Sequence, residues 1–157
     1  MNREIIFRGK RVNTGEWVFG CLTQLQQDQV AIYDNRPCAS SLQLWQYIQF
    51  HTYEVIPETV GQFTGLYDNT KWEQLSEYEK TAWLSIKGNT KENYPGRKIF
   101  EGDILIKEGN PTYKYTVEWK SASFQMFSKH YGFWHLSDYT EMVVIGNIYD
   151  NKELLNG

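Results

Sequence analysis

Several familiar signatures are missing from this chain, and each absence closes off a class of chemistry. Only two cysteines occur in 157 residues, Cys21 and Cys38, and they lack CxxC spacing. Paired-thiol zinc and redox motifs are therefore excluded, and the two read as reduced thiols. The opening stretch carries no leader pattern, because the apolar run Ile5-Ile6-Phe7 breaks at Arg8. No segment approaches the roughly 18 apolar residues of a spanning helix. The expectation is a cytoplasmic protein that does not engage a membrane. A basic excess is also lacking: 16 Lys and Arg stand against 19 Asp and Glu, for a net charge of −3. That balance leaves no chain-wide footprint for nucleic acid.

Catalytic motifs are equally scarce. The sequence has no Gly-x-Ser-x-Gly elbow, no Walker loop and no dinucleotide-binding glycine pattern. Its three histidines, His51, His130 and His135, show no zinc-ligand spacing. A metal site there needs a carboxylate such as Asp138 to converge with them. Glu58 and the pair Glu101 and Asp103 are carboxylates beside turn residues, where such groups ordinarily accept backbone amides. The expectation is a non-enzymatic protein without metal or cofactor; an enzyme whose site is assembled only in three dimensions is the lesser alternative.

What the chain does have is aromatic side chains, 16% of all residues. These favour strands and bury large areas, so a β-rich domain follows. Asn13-Thr14-Gly15 supplies turn chemistry before the alternating Trp17, Phe19 and Cys21. Gln29–Tyr33 and Trp45–Ile56 read as further strands, with Cys38–Leu44 as loop. Tyr113 to Lys120 alternates strictly, with Tyr113, Tyr115, Val117 and Trp119 on one face. That pattern is a half-buried antiparallel strand. Met142 to Tyr149 is apolar on both faces and reads as a central strand. The predicted fold class is mainly β: a small antiparallel barrel-like or sandwich domain with a helical insertion.

Residues 69–95 form that insertion. Thr70 and Glu73, then Ser76 and Glu79, both have capping-box spacing. Leu75, Tyr78, Ala82, Trp83 and Ile86 follow at helical spacings until Gly88-Asn89. The stripe containing Trp72, Leu75 and Trp83 either docks on the sheet or binds a protein partner, since an exposed stripe this apolar is costly. It could also pair two copies of the chain, as could an open sheet edge. A second binding candidate is the N-terminal hairpin, where Arg8, Lys10 and Arg11 neighbour Trp17. A basic turn beside an aromatic can clamp phosphate and stack a base of single-stranded nucleic acid, although an ordinary solvated hairpin end explains it too. The ring face of Tyr113, Tyr115 and Trp119 is read as core rather than as a base-stacking platform.

Four blocks then carry a family resemblance: Phe7 to Trp17, Val55 to Asp68, Gly96 to Leu105, and Val144 to Asn151. In this order they resemble the YopX family of phage and prophage proteins, along nearly the whole chain. The resemblance implies one mainly β domain over residues 1–157, acting inside a bacterial host cell as an accessory protein. It transfers no catalytic residues and no biochemical activity. Within the shared blocks Gly61, Gly65, Gly102 and Gly146 read as backbone requirements, Glu101 and Asp103 as turn scaffolding, and Val60, Phe63, Ile99, Ile104 and Ile145 as core. The expected partner is an unidentified host or phage protein.

Overall fold

The computed structural model describes residues 4–26, 29–34, 52–136 and 141–156. The Cys38–Leu44 loop, the start of the Trp45–Ile56 strand, His51 and Asp138 lie outside those residues. The chain divides into two compact units, Met1–Gly65 and Leu66–Gly157. Among the described residues no helix is long and apolar enough to cross a membrane.

In the first unit β1 (Phe7–Lys10) turns into β2 (Trp17–Gln26), followed by β3 (Gln29–Asp34) and β4 (Thr52–Val55). A 3-10 turn at Pro57–Thr59 leads to β5 (Gly61–Tyr67), which runs past the unit boundary. The β1–β2 hairpin forms where turn chemistry predicts it, with Gly15 at φ 72°. Strand order in this unit is β4-β3-β2-β1-β5, all antiparallel. Beyond the residues that pair with β5, the edge of β1 meets the end of β4. Ile56 donates to the Lys10 carbonyl at 2.8 Å and Val12 to that of Glu54 at 3.0 Å. Gly9 suits this approach, because a Cβ there would stand 3.0 Å from the Val55 side chain and crowd it. Cys21 is disulfide-bonded, which corrects the expectation of reduced thiols.

The second unit holds β6 (Lys98–Phe100), β7 (Asp103–Lys107), β8 (Asn110–Lys120), β9 (Ser123–Ser128), β10 (Gly132–His135) and β11 (Met142–Asn147). Five of them order as β10-β9-β8-β7-β11. Its core is Ile99, Leu105, Val117, Met126, Leu136 and Met142, with Tyr115 and Phe124 packed against it. The alternation of β8 sorts as expected at Val117, which is buried, and at Tyr115, which packs against the core. Trp119, expected in the core, is instead 54% exposed near the strand's end and meets Phe124 edge-on at 4.8 Å. β11 is a terminal strand rather than a central one. Its apolar character misled because its outer edge is occupied by loop groups: Asn69 donates to the Met142 carbonyl, and Val144 donates to Asp68. Such cover blocks an edge from recruiting another strand.

Both units follow one plan, a four-strand meander whose fifth strand returns beside the first. Each return is tied by an equivalent bond, Phe63 of β5 donating to the Ile6 carbonyl at 2.8 Å and Ile148, just past β11, to that of Gly102 at 2.9 Å. Each also carries an aliphatic-Gly-amide triplet, Val60-Gly61-Gln62 and Ile145-Gly146-Asn147, followed by Tyr-Asp-Asn at 67–69 and 149–151. At Gly146 a Cβ would lie 2.5 Å from Asn151 Oδ1. Among the described residues the fold is mainly β, with two antiparallel sheets and one α-helix. Among the described residues neither strand order closes fully into a barrel, although β1 and the end of β4 meet at the Arg11–Val55 bridge.

Candidate functional site

The insertion is anchored by a single buried carboxylate. Asp68 Oδ1 accepts from the amides of Thr70 at 2.9 Å and Arg97 at 2.8 Å. Its Oδ2 accepts from the Thr70 hydroxyl at 2.7 Å and the Val144 amide at 2.9 Å. Asp68 thus ties together both ends of the insertion and β11. Four donors satisfy a buried carboxylate that would otherwise be costly. Gly96 sits at φ 112°, and a Cβ there would collide with the Asp68 carbonyl.

Helix α1 spans Glu77–Leu84 and starts at the second of the two predicted capping boxes. Ser76 Oγ accepts from the Glu79 amide at 3.2 Å, while Glu79 Oε1 accepts from the Ser76 amide at 3.3 Å. The first predicted box does not form, because Asp68 takes the Thr70 hydroxyl. A 3-10 turn at Trp72–Gln74 begins instead at Lys71, whose amide donates to Gln74 at 2.8 Å. Glu79 also receives a two-point bond from Arg97, Nε at 2.8 Å and Nη2 at 3.0 Å. That fork holds the Glu79 carboxyl below its usual range, with the Arg97 hydrogen bond as the leading cause. It raises Arg97 in turn.

Tyr94 closes the packing. Its ring meets Trp72 edge-on at 5.8 Å and Trp83 at 5.4 Å, both T-shaped. The Trp83 indole N–H donates to the Thr90 carbonyl at 2.8 Å. Burial, then the nearby Asp68 charge, push the Tyr94 phenol up to about 12. Beside this cluster a cavity of about 290 Å³ is lined by Asp68, Thr70, Lys71, Trp72, Lys91 and Tyr94, among others.

Trp72 and Trp83 are thus turned into the insertion's own packing through Tyr94. Leu75 is 6% exposed, and Trp72 and Trp83 are half-buried. Other apolar side chains of the stretch face water: Tyr78 is 83% exposed, Ile86 58% and Leu84 51%. Sequence spacing puts Tyr78 and Ile86 on the same stripe as Leu75. The helix is shorter than the periodicity suggested, ending at Leu84, and its rotation leaves Tyr78 outside. Tyr94 and Arg97, which organise the cluster, carry no periodic signal, and Asp68 looks like an ordinary turn acid.

At the N-terminal hairpin the expected neighbours do meet. The Arg8 guanidinium lies 4.7 Å from the Trp17 ring centre and the Lys10 ammonium 5.8 Å. Arg11 covers Tyr53 at 4.4 Å and pairs with Glu16 at 3.7 Å. Arg8, however, is only 7% exposed. Of the motif positions, Gly65 and Gly102 take φ 86° and 91°, Gly61 pairs opposite Arg8, and Glu101 precedes Gly102 in the turn. Buried Asp103 accepts from the Phe100 amide at 2.7 Å, as a turn acid does. His130 packs edge-on against Tyr113 at 5.6 Å, and His135 is exposed on β10. Among the described residues no three His, Cys, Asp or Glu side chains cluster to hold a metal ion.

The model of the YopX protein family, a family of unknown function, matches residues 91–156. The match begins within the insertion and runs through β6 to β11. No curated protein matches the chain.

Proposed function

We propose that this chain is a non-enzymatic binding module for a protein partner, presented by the insertion at residues 69–95. The observation that carries the reading is the division of labour inside that stretch. Trp72, Leu75, Trp83 and Tyr94 pack inward, and the Asp68 and Glu79–Arg97 bonds hold the segment at both ends. Tyr78, Leu84 and Ile86 are left in water. Aromatic and large aliphatic side chains on a pre-ordered element are what interface anchors consist of, because little conformational entropy remains to be lost on binding. The setting that goes with this reading is an accessory role for a phage or prophage protein in the bacterial cytoplasm, with a host or phage protein as partner. The nucleic-acid alternative at Arg8, Lys10, Arg11 and Trp17 is less favoured, since Arg8 is buried against Trp17.

The test is recovery of a stoichiometric complex by the tagged chain from its native cells. Tyr78→Ala combined with Ile86→Ser should abolish recovery while the far-UV circular dichroism stays unchanged. A complex that survives this double change would contradict the proposal.

A further inference from the structure

The outer face of the second unit's sheet carries rings where a water-facing strand ordinarily carries polar groups. Strand register puts Thr116, Glu118 and Lys120 of β8 on one face with Phe127 of β9 and with Phe133 and His135 of β10. Val117 and Met126 occupy the opposite, core face. The two phenylalanines are cross-strand partners, with ring centres 4.7 Å apart and planes tilted by 43°. Phe133 is 38% exposed, on a strand at the sheet edge. Lys120 stands over it, the ammonium 3.5 Å from the ring centre.

Charge follows the rings. Between Asn110 and Leu136 the chain has three lysines, Lys114, Lys120 and Lys129, against one acid, Glu118, although the whole chain is at −3. From Ser123 to Leu136 there is no acidic residue, and two of the three histidines lie there. Lys129, His130 and Tyr131 are exposed at the β9–β10 turn. A cation on a flexible stem above an exposed ring can exchange the ring for a phosphate and uncover a stacking surface.

We infer that this face binds single-stranded nucleic acid. Bases stack on Phe133 and Phe127, and phosphates meet Lys120 and Lys129. An acidic peptide would satisfy the lysines but would give the paired rings no planar partner. The surface is separate from the N-terminal hairpin, and its occupant is of a different class from the protein partner proposed for the insertion.

Fluorescence anisotropy with labelled oligo-dT and oligo-U of about 20 nucleotides tests the inference on the full chain. At about 50 mM salt binding is expected, falling with salt at a log–log slope of about −1.4 for two phosphate contacts. Phe133→Leu keeps the apolar volume and removes the ring face; it should weaken binding about tenfold. Lys120→Glu should weaken binding and flatten the salt slope. Trp119→Ala, on the opposite face, and Lys152→Glu, an equal charge change elsewhere, should leave it within about twofold. The inference is overturned by no binding at low salt or by indifference to Phe133→Leu. It is equally overturned by equal loss from Lys152→Glu, or by poly-glutamate competing as well as the oligonucleotides.

Discussion

Asp68 shows how much one residue can decide in this chain. Replacing it with Ala leaves the amides of Thr70, Arg97 and Val144 without their acceptor inside the fold. A loss of about 3 kcal/mol is expected, from leaving buried donors unsatisfied, and urea denaturation measures it. Tyr94 is the second residue-scale test. Burial first, and the Asp68 charge next, keep its phenol neutral to about 12 against an ordinary 10. The folded state therefore holds this proton after the unfolded state has released it, so stability falls as pH rises above 10. An absorbance titration at alkaline pH should show a late-ionising phenol that disappears in Tyr94→Phe. Neither residue was legible as a centre beforehand. An Asp after a Tyr reads as a turn, and its partners at Arg97 and Val144 are distant in sequence; only folding brings their amides together. By contrast Gly102 was readable, because a glycine between Glu101 and Asp103 signals a positive φ, and the structure has 91° there.

At the scale of elements, local chemistry was read well and element rotation was not. The Ser76–Glu79 box does start the helix, since both bonding groups lie within one turn. The Thr70 box failed because Asp68 competes for the same hydroxyl, a tertiary contact that spacing cannot reveal. Which side of α1 faces in is decided by Tyr94 and Arg97, which spacing alone does not reveal, so periodicity puts Tyr78 on the wrong side. The Glu79–Arg97 bond gives the insertion a pH dependence. Glu79 is held below its ordinary value of 4.5, chiefly by Arg97. Its contribution is complete above that value and is lost as pH falls through the lower folded value. Tryptophan fluorescence of Trp72 and Trp83 should report loosening in acid, and Glu79→Gln should weaken that acid dependence. The β8–β9 hairpin offers a stabilising change. Ser121 and Ala122 occupy φ 53° and 62°, conformations that favour Asn and Gly. Ser121→Asn with Ala122→Gly should raise stability by about 1 kcal/mol, read as a higher thermal midpoint.

For the molecule as a whole, the mainly β class followed from aromatic content and alternation, as β8 illustrates. The repeated five-strand plan was not visible, because the two units share only short triplets around Gly61 and Gly146, set within otherwise unlike strands. The disulfide at Cys21 escaped for a similar reason: cysteine spacing alone does not bring two thiols together. The proposed partner contact lies on the water-facing residues of the insertion. Its most direct test places a photo-cross-linking amino acid at Tyr78, Ile86 or Lys152 in turn, in the full chain within its native cells. One discrete adduct of the same mass is expected from Tyr78 and Ile86, and none from Lys152. No adduct at Tyr78, or the same adduct from all three positions, would contradict it.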